Sequence, residues 1–405
     1  MFPTNIFEKK HVLIGITGGI AAYKICELIR YLVTYGAEVR VMMTHSAEKF
    51  ITRYTMETLS GNPVYSSMFP EDQFVSTHHI NLADWTDVCI IAPATANIIG
   101  KVANGIADDF VSTTIMALHC PVVFAPAMNV NMWNNPALQR NIKILQKDNY
   151  IICNPEEGFL AEGYSGVGRL ARLEYLIQYL YRAIHPSPKS LKKQTILITA
   201  GRTEEAIDPV RIFTNRSTGK MGYAIAVEAF ARGAAVILVH GPTQLPDPHN
   251  VKTFAVETAD EMYDQVKKNI AKTDVFIAAA AVADFTPSKY SRKKIKKDQT
   301  QNSFEMKITK DILSDVGKKK KKSQYLVGFA VETEMAEQNA KKKLEEKNLD
   351  LLVLNNPLER DSAFAVETNK VILFNRVGES KKISTKFKLD VAREIFEFLF
   401  TSNRN

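Results

Sequence analysis

Short apolar runs alternate along the chain with longer stretches in which apolar positions return every three or four residues. The first pattern is that of a strand, the second that of a helix with one buried face. HVLIGIT (11–17) and EVRVMMT (38–44) predict strands on either side of a helix in AAYKICELIRYLVTYG, which Gly36 closes. DVCIIAPAT (87–95), PVVFAPAM (121–128) and NYIICN (149–154) continue the series. Several of these runs are apolar on both faces, as parallel strands covered by helices on each side must be. The pattern predicts a three-layer α/β domain.

HPSPKSLKKQ (185–194) interrupts the alternation with prolines, serines and lysines and predicts a linker, dividing the chain into residues 1–189 and 190–405. A second α/β series follows: TILITAG (195–201), a helix from near Gly219, AAVILVH (234–240), DVFIAAAAVADF (274–285), YLVGFAVET (325–333) and DLLVLNN (350–356). VILFNR (371–376) and ISTKFKL (383–389) predict added strands on a Rossmann-like domain.

A length of 405 residues agrees with more than one core. No apolar run approaches a membrane span. The N-terminal apolar segment is broken by Gly15, Gly18 and Gly19 and reads as a strand rather than a signal peptide. Cys26, Cys89, Cys120 and Cys153 stand singly, the usage of a reduced, cytoplasmic protein. The net charge of +8 is uneven, −1 over residues 1–189 and +9 over the rest. An anionic partner is expected in the second half. The lysines are neither interleaved with aromatics nor grouped in a known nucleic-acid motif, and a polyanionic small molecule such as a nucleoside triphosphate fits as well as nucleic acid. KKKKK (318–322) reads as a solvated loop.

Candidate chemistry sits at strand ends. ITGGIAAYK (16–24) is a tight turn or a phosphate site at a helix start. Thr44 caps a helix or binds the same phosphate. APATAN (92–97) and APAMNVNMW (125–133) end strands in small residues that leave room for a flat ligand. Asn129 could bind a carboxylate or cap a turn. STHHINLADWTD (76–87) holds paired histidines. LAEGYSGVGRL (160–170) is a phosphate cradle, a turn or a lid, with one acid, Glu162. In the second half, IDPVRIFTNRSTGKMG (207–222) joins a turn at Asp208–Val210 to hydroxyls, glycine and lysine at a helix start, an anion site or a helix capped by Ser217 or Thr218. AAAAVADF (278–285), KKIKK (293–297), KDIL (310–313) and GFAVET (328–333) follow, and Lys343 and Lys347 share one helical face.

ITGGIAAYK, HINLADW, APATAN, ADDFVSTT (107–114), APAMN and the GVGR of residues 166–169 together resemble the flavin-containing cysteine decarboxylases, and most closely the phosphopantothenoylcysteine decarboxylase half of the bifunctional coenzyme A biosynthesis family. The resemblance implies a flavodoxin-like, doubly wound domain binding FMN through Gly18, Gly19, Ile20, Thr44, Pro93, Ala94, Thr95, Ser112 and Met128. It implies His79 as the catalytic histidine and Asn129 as the carboxylate ligand. Oxidation of the cysteine thiol to a thioaldehyde lets CO2 leave as an enethiolate forms, which is then reduced and protonated. LAEGYSGVGRL resembles the substrate-covering flap. Better-known members have a protonating cysteine where this chain has Glu162. A free glutamate, of pKa about 4.3, is a poor donor at neutral pH, but closure over an apolar site would raise it. Glu162 is therefore expected to be the proton donor.

Residues 190–400 resemble the phosphopantothenate–cysteine ligase half of the same family, whose LDPVRxxxNxSSGKMG is met by IDPVRIFTNRSTGKMG. AAVADF, KIKK, GFAVET and KNLDLLVLNN (347–356) also match. The resemblance implies CTP, with base and ribose near Ala278, Ala279, Ala280, Asp284 and Phe329 and phosphates near Lys294, Lys310, Lys343 and Lys347. Asp311, Ile312 and Leu313 belong to the same site through KDIL, which replaces the family's usual asparagine–proline–aspartate run. Lys294 is implicated in forming an acyl-cytidylate from 4′-phosphopantothenate and Asn215 in the attack of the L-cysteine amine, with Mg2+ shielding the triphosphate. The product, phosphopantothenoylcysteine, is the decarboxylase substrate. Trimeric decarboxylase and dimeric ligase domains would combine into a closed dodecamer. Two further readings stand beside this one: a ligase whose decarboxylase half is impaired because Glu162 replaces cysteine, and a non-catalytic flavin-binding regulatory relative.

Overall fold

The structure, a computed structural model, describes residues 3–69, 77–161, 163–296, 304–331, 336–355 and 366–401. The chain forms two compact units, Asn5–Pro188 and Lys189–Asn405 with Met1–Thr4.

The first unit runs β1 (His11–Ile16), a 3-10 turn (Ile20–Lys24), α1 (Ile25–Thr34), β2 (Glu38–Met43), α2 (Arg53–Ser60), β3 (Val64–Tyr65), α3 (His78–Trp85), β4 (Val88–Ala94), α4 (Ala96–Ala103), α5 (Phe110–Ala117), β5 (Val122–Pro126), α6 (Val130–Trp133), α7 (Pro136–Lys147) and β6 (Ile151–Ile152). A hairpin, β7 (Glu156–Phe159) with β8 (Ser165–Arg169), and α8 (Leu173–Ile184) complete it. The main sheet is parallel with order β3-β2-β1-β4-β5-β6. Without the two-residue β3 the order is that of flavodoxin. β4 is buried at every position, which explains its unbroken apolar run. Its Cys89 and Ile91 join Leu13, Phe110 and Phe124 in one core cluster, each large side chain contributing about 1.5–3 kcal/mol by burial.

The second unit runs β9 (Thr195–Ala200), β10 (Glu204–Ala206), β11 (Ile212–Thr214), α9 (Lys220–Ala231), β12 (Ala235–His240), β13 (Lys252–Ala255), α10 (Ala259–Asn269), β14 (Val275–Ala278), β15 (Phe285–Pro287), β16 (Met306–Ile308), α11 (Ile312–Lys319), β17 (Tyr325–Val331), α12 (Ala336–Glu346), β18 (Leu351–Asn355), β19 (Thr368–Asn375), β20 (Ser380–Phe387) and α13 (Lys388–Thr401). Its large sheet has the order β13-β12-β9-β14-β17-β18-β19-β20, parallel as far as β18, with β19 and β20 added antiparallel. α9 is buried over Gly222–Ala231, packed on the sheet on one side and on α13 on the other, so its sequence is apolar all round.

Two expectations change. The strand expected over residues 274–285 ends at Ala278. Beyond it the chain turns across β9, with Ala279 N–H donating to Thr199 O (3.1 Å) and Ala281 N–H to Gly201 O (2.8 Å). The lysine run 318–322 is not simply a solvated loop. Lys318 and Lys319 end α11, and Lys320, with a side chain 7% exposed, lies 2.7 Å from Asp350. That carboxylate also accepts from Leu326 N–H at 2.7 Å, so one lysine of the run neutralises a half-buried acid. All four cysteines are free.

Candidate active sites

In each sheet the first strand is central. The chain builds outward on one side of it and then on the other, so loops diverge at the carboxyl ends of β1 and β4, and again at β9 and β14. Such switch points open a crevice for a ligand.

At the first, Thr17 Oγ donates to Pro93 O (2.6 Å) and accepts from Thr95 N–H (3.0 Å), tying the two strand ends together. Gly18 lies against the end of β2: a Cβ there would stand 2.5 Å from Ser46 Cβ. Gly19 lies by Pro93 and Thr95, and Ile20 is 60% exposed at the turn that follows. Thr95 caps α4 through Ile98 N–H, and the Thr44 hydroxyl accepts from Ala47 N–H at 3.3 Å. The geometry therefore brings Gly18, Gly19, Ile20, Pro93, Ala94 and Thr95 together at the adjoining carboxyl ends of β1 and β4, with Thr44 just beyond the end of β2. Ser112 is 1% exposed, and its hydroxyl is engaged in a capping box with Asp109, so its expected ligand contact is not open. The close glycine approach at Gly18 and the small residues at the strand ends fit a flat, phosphate-bearing group such as a flavin nucleotide.

His78 and His79 lie in the first turn of α3. The two histidines differ: His78 Nε2 is buried without a hydrogen-bond partner among the described residues. Asn129 caps α6, its Oδ1 accepting from Asn131 N–H at 2.8 Å, while its Nδ2 donates to the Tyr164 hydroxyl in the hairpin. Met128 N–H donates to Gly168 O at 2.9 Å, and a Cβ on Gly168 would meet Met128 O at 2.1 Å. Only glycine permits that approach. Within the run 160–170, Ser165–Arg169 is thus the second strand of a hairpin laid against the Asn129 loop. Its base is fixed by Glu156, which accepts from Arg172 N–H (2.6 Å) and Nε (2.8 Å). Glu162 lies outside the described residues. Cys153 is fully buried, which pushes its thiol well up, so it stays protonated inside the core.

The second crevice is a cavity of about 670 Å3, in the range of small-molecule sites. Ala278, Ala279, Ala280, Asp284, Phe329, Lys310–Leu313, Lys347 and Asn215 all line it. Asn215 Nδ2 donates to Ala281 O and Val282 O, both at 3.1 Å, leaving its carbonyl oxygen as the available group. Lys310 lies 3.0 Å from Asp260 and over the Tyr263 ring at 4.9 Å; the Asp260 bond raises its pKa. Lys347 lies 2.9 Å from Asp311, the cap of α11. Burial opposes ionisation of Asp311, but the Ser314 N–H and Lys347 outweigh it and lower its pKa. Lys343 and Lys294 do not line the cavity. Lys294 is exposed on a loop held against the Ile207–Arg211 turn.

Of the opposite wall, sequence reasoning marked the hydroxyls, glycine and lysine of NRSTGK as a candidate anion site, and Ser217–Lys220 do line it, but it missed Lys388. Lys220 and Lys388 are the first residues of the adjacent helices α9 and α13, and both line the cavity with Asn355 and Asn369. Lys220 Nζ lies 2.5 Å from Glu367. Lys388 is 4% exposed and donates to Val366 O. Burial, and then the charge of Lys220, push its pKa down to about 8. Lys220 stood in the NRSTGK run; Lys388 follows the last strand in FKLDVAREIF, where nothing local marks it.

Among the described residues no helix is long and apolar enough to cross a membrane. Residues 4–185 match the Flavoprotein family, and residues 191–402 match the DNA/pantothenate metabolism flavoprotein C-terminal domain. The coenzyme A biosynthesis bifunctional protein CoaBC of Bacillus subtilis (strain 168) is 45% identical over 394 residues, 97% of each chain. That of Escherichia coli (strain K12) is 42% identical over 374 residues, 91% of this chain and 92% of the relative. A crystal structure of the C-terminal domain of a CoaBC protein is 41% identical, covering 52% of this chain and 96% of that one, with a TM-score of 0.45. The chain belongs to the family of bifunctional coenzyme A biosynthesis flavoproteins.

Proposed function

We propose that the chain carries out two successive steps of coenzyme A biosynthesis. Residues 190–405 join L-cysteine to 4′-phosphopantothenate at the expense of CTP, and residues 1–189 decarboxylate the product, phosphopantothenoylcysteine, to 4′-phosphopantetheine with FMN. The observation that supports this reading is the second-unit cavity, lined by most of the residues expected to hold the nucleotide, though not by Lys294 or Lys343, and by the Asn215 of the ligation step, in a chain of this family.

In the ligation, a carboxylate oxygen of 4′-phosphopantothenate attacks the α-phosphorus of CTP and pyrophosphate leaves; the cysteine amine then attacks the acyl carbon and CMP leaves. Lys310 and Lys347 exchange their acidic partners for triphosphate oxygens. Asp260 and Asp311 are partly exposed, so those pairs are weak and the exchange costs little. Mg2+ would shield the triphosphate. Because both Asn215 N–H groups already serve backbone carbonyls, its oxygen accepts from the incoming cysteine amine and aims its lone pair.

FMN, when bound, supplies the electron acceptor and donor that decarboxylation of a cysteine needs. Asn129 exchanges the Tyr164 hydroxyl for the substrate carboxylate, and His79 moves the proton of the oxidative half. Glu162 protonates the enethiolate.

Assaying cysteine ligation and CO2 release separately on the purified protein tests the whole: both are expected, and a protein that ligates but releases no CO2 overturns the decarboxylase half. Gly18→Ala should give a folded protein that purifies colourless and still ligates; retained flavin absorbance would remove Gly18 from the site. Glu162→Gln should release CO2 while reduced product falls at least about tenfold; unchanged product formation refutes the donor role. For Lys388 the sign is fixed by its charge. Below pH 8 it is protonated and attracts the phosphorylated acid; above about 8 that attraction is lost. The KM for 4′-phosphopantothenate should therefore rise as pH passes upward through this range, and Lys388→Met should flatten the profile. Parallel profiles for both proteins would exclude the lysine.

A further inference from the structure

Asp208 has no part in the chemistry described so far, yet it is 2% exposed and its carboxylate is saturated. Oδ1 accepts from Val210 N–H (2.8 Å) and Arg211 N–H (2.9 Å). Oδ2 accepts from Arg211 Nη1 (2.8 Å) and from Ile295 N–H (3.2 Å), in a loop far along the chain. The first two bonds close the turn on itself and are accounted for by local structure. The last is not: it reaches the residue immediately after Lys294. Arg211 Nη1 bonds the same residue from its other side, donating to Ile295 O at 3.0 Å. At the near end of the loop, Ser291 N–H donates to Ile207 O at 3.1 Å, and Ser291 Oγ donates to Lys293 O at 2.6 Å. The backbone on both sides of Lys294 is thus gripped by the Ile207–Arg211 turn, while the lysine side chain itself is exposed. Burial alone would discourage a charge on Asp208, but the backbone N–H groups and Arg211 more than offset it and lower its pKa, so the clamp is anionic at neutral pH.

We infer that Asp208 is a positioning residue for Lys294: it fixes the backbone on which the lysine stands outside the cavity, and so limits the range over which its side chain can swing toward the site in the first ligation step. The inference rests on the ligase reading and on the first-step role that the family resemblance implies for Lys294. A lysine on an untethered loop would sample many positions, and misplacement of a reacting group by an ångström costs up to about 100-fold.

The test separates the two steps. Pyrophosphate release from CTP and 4′-phosphopantothenate, without cysteine, reads the first. Consumption of cysteine after the intermediate has accumulated reads the second. Asp208→Asn keeps the size but loses the charge and turns one acceptor into a donor. It should slow the first step ~10- to 100-fold and leave the second unchanged. Combined with Lys294→Gln it should add less than about twofold, because the lysine it positions is already gone. Since Asp208 is buried, Ser291→Ala gives a second reading at a loop position that leaves the fold intact: a milder loss, again confined to the first step. Folded variants that slow both steps equally, or an Asp208→Asn loss that multiplies in full onto Lys294→Gln, overturn the inference. A Lys294→Gln protein with an intact first step instead overturns the role of the lysine on which it rests.

Discussion

A parallel strand buried on both faces must receive a helix on each side, and this constraint generates both active regions. Each sheet begins with a central strand, extends to one side, and returns to extend to the other. The loops leaving the two central strands therefore part, and the gap cannot be closed without breaking the layer order. The chain bridges it in the same way twice. Thr17, in ITGG, accepts from Thr95 N–H at 3.0 Å; Thr199, in ITAG, accepts from Ala280 N–H at 3.4 Å. A short hydroxyl side chain joins neighbouring strand ends while leaving the space above them free.

Charge within the ligase cavity is divided between the two faces of the sheet. Lys310 and Lys347 belong to the α11 and α12 side and are each paired with a partly exposed acid. Lys220 and Lys388 head α9 and α13 on the opposite side, with Glu367 as the acid beside them. The partial positive ends of two helices add to that wall. A cavity so arranged suits two separate anions, held apart until the bond between them forms.

Strand and helix order was legible in the apolar pattern, because burial on both faces leaves unbroken runs such as that of β4. The ends were less so. β14 stops early because hydrogen bonds to the β9 loop replace its ladder, which periodicity along one segment does not express. Most nucleotide-site residues were legible from motif resemblance, and the crevice gathers them. Lys388 was not, since its place in the wall depends on β19 and β20 turning the chain back beside α9. Ser112 shows the converse: its motif suggested a ligand contact, while its hydroxyl is occupied in closing a helix start.

The hairpin over the first site is secured where it leaves the sheet. Glu156 and Arg172 lock one strand to α8, and the Gly168 carbonyl locks the other to the Asn129 loop. Between these anchors the Tyr164 hydroxyl accepts from Asn129 Nδ2, so a side chain as well as backbone ties the hairpin to that loop. The hairpin and the Asn129 loop are therefore mechanically one piece, and a shift in either must carry the other with it.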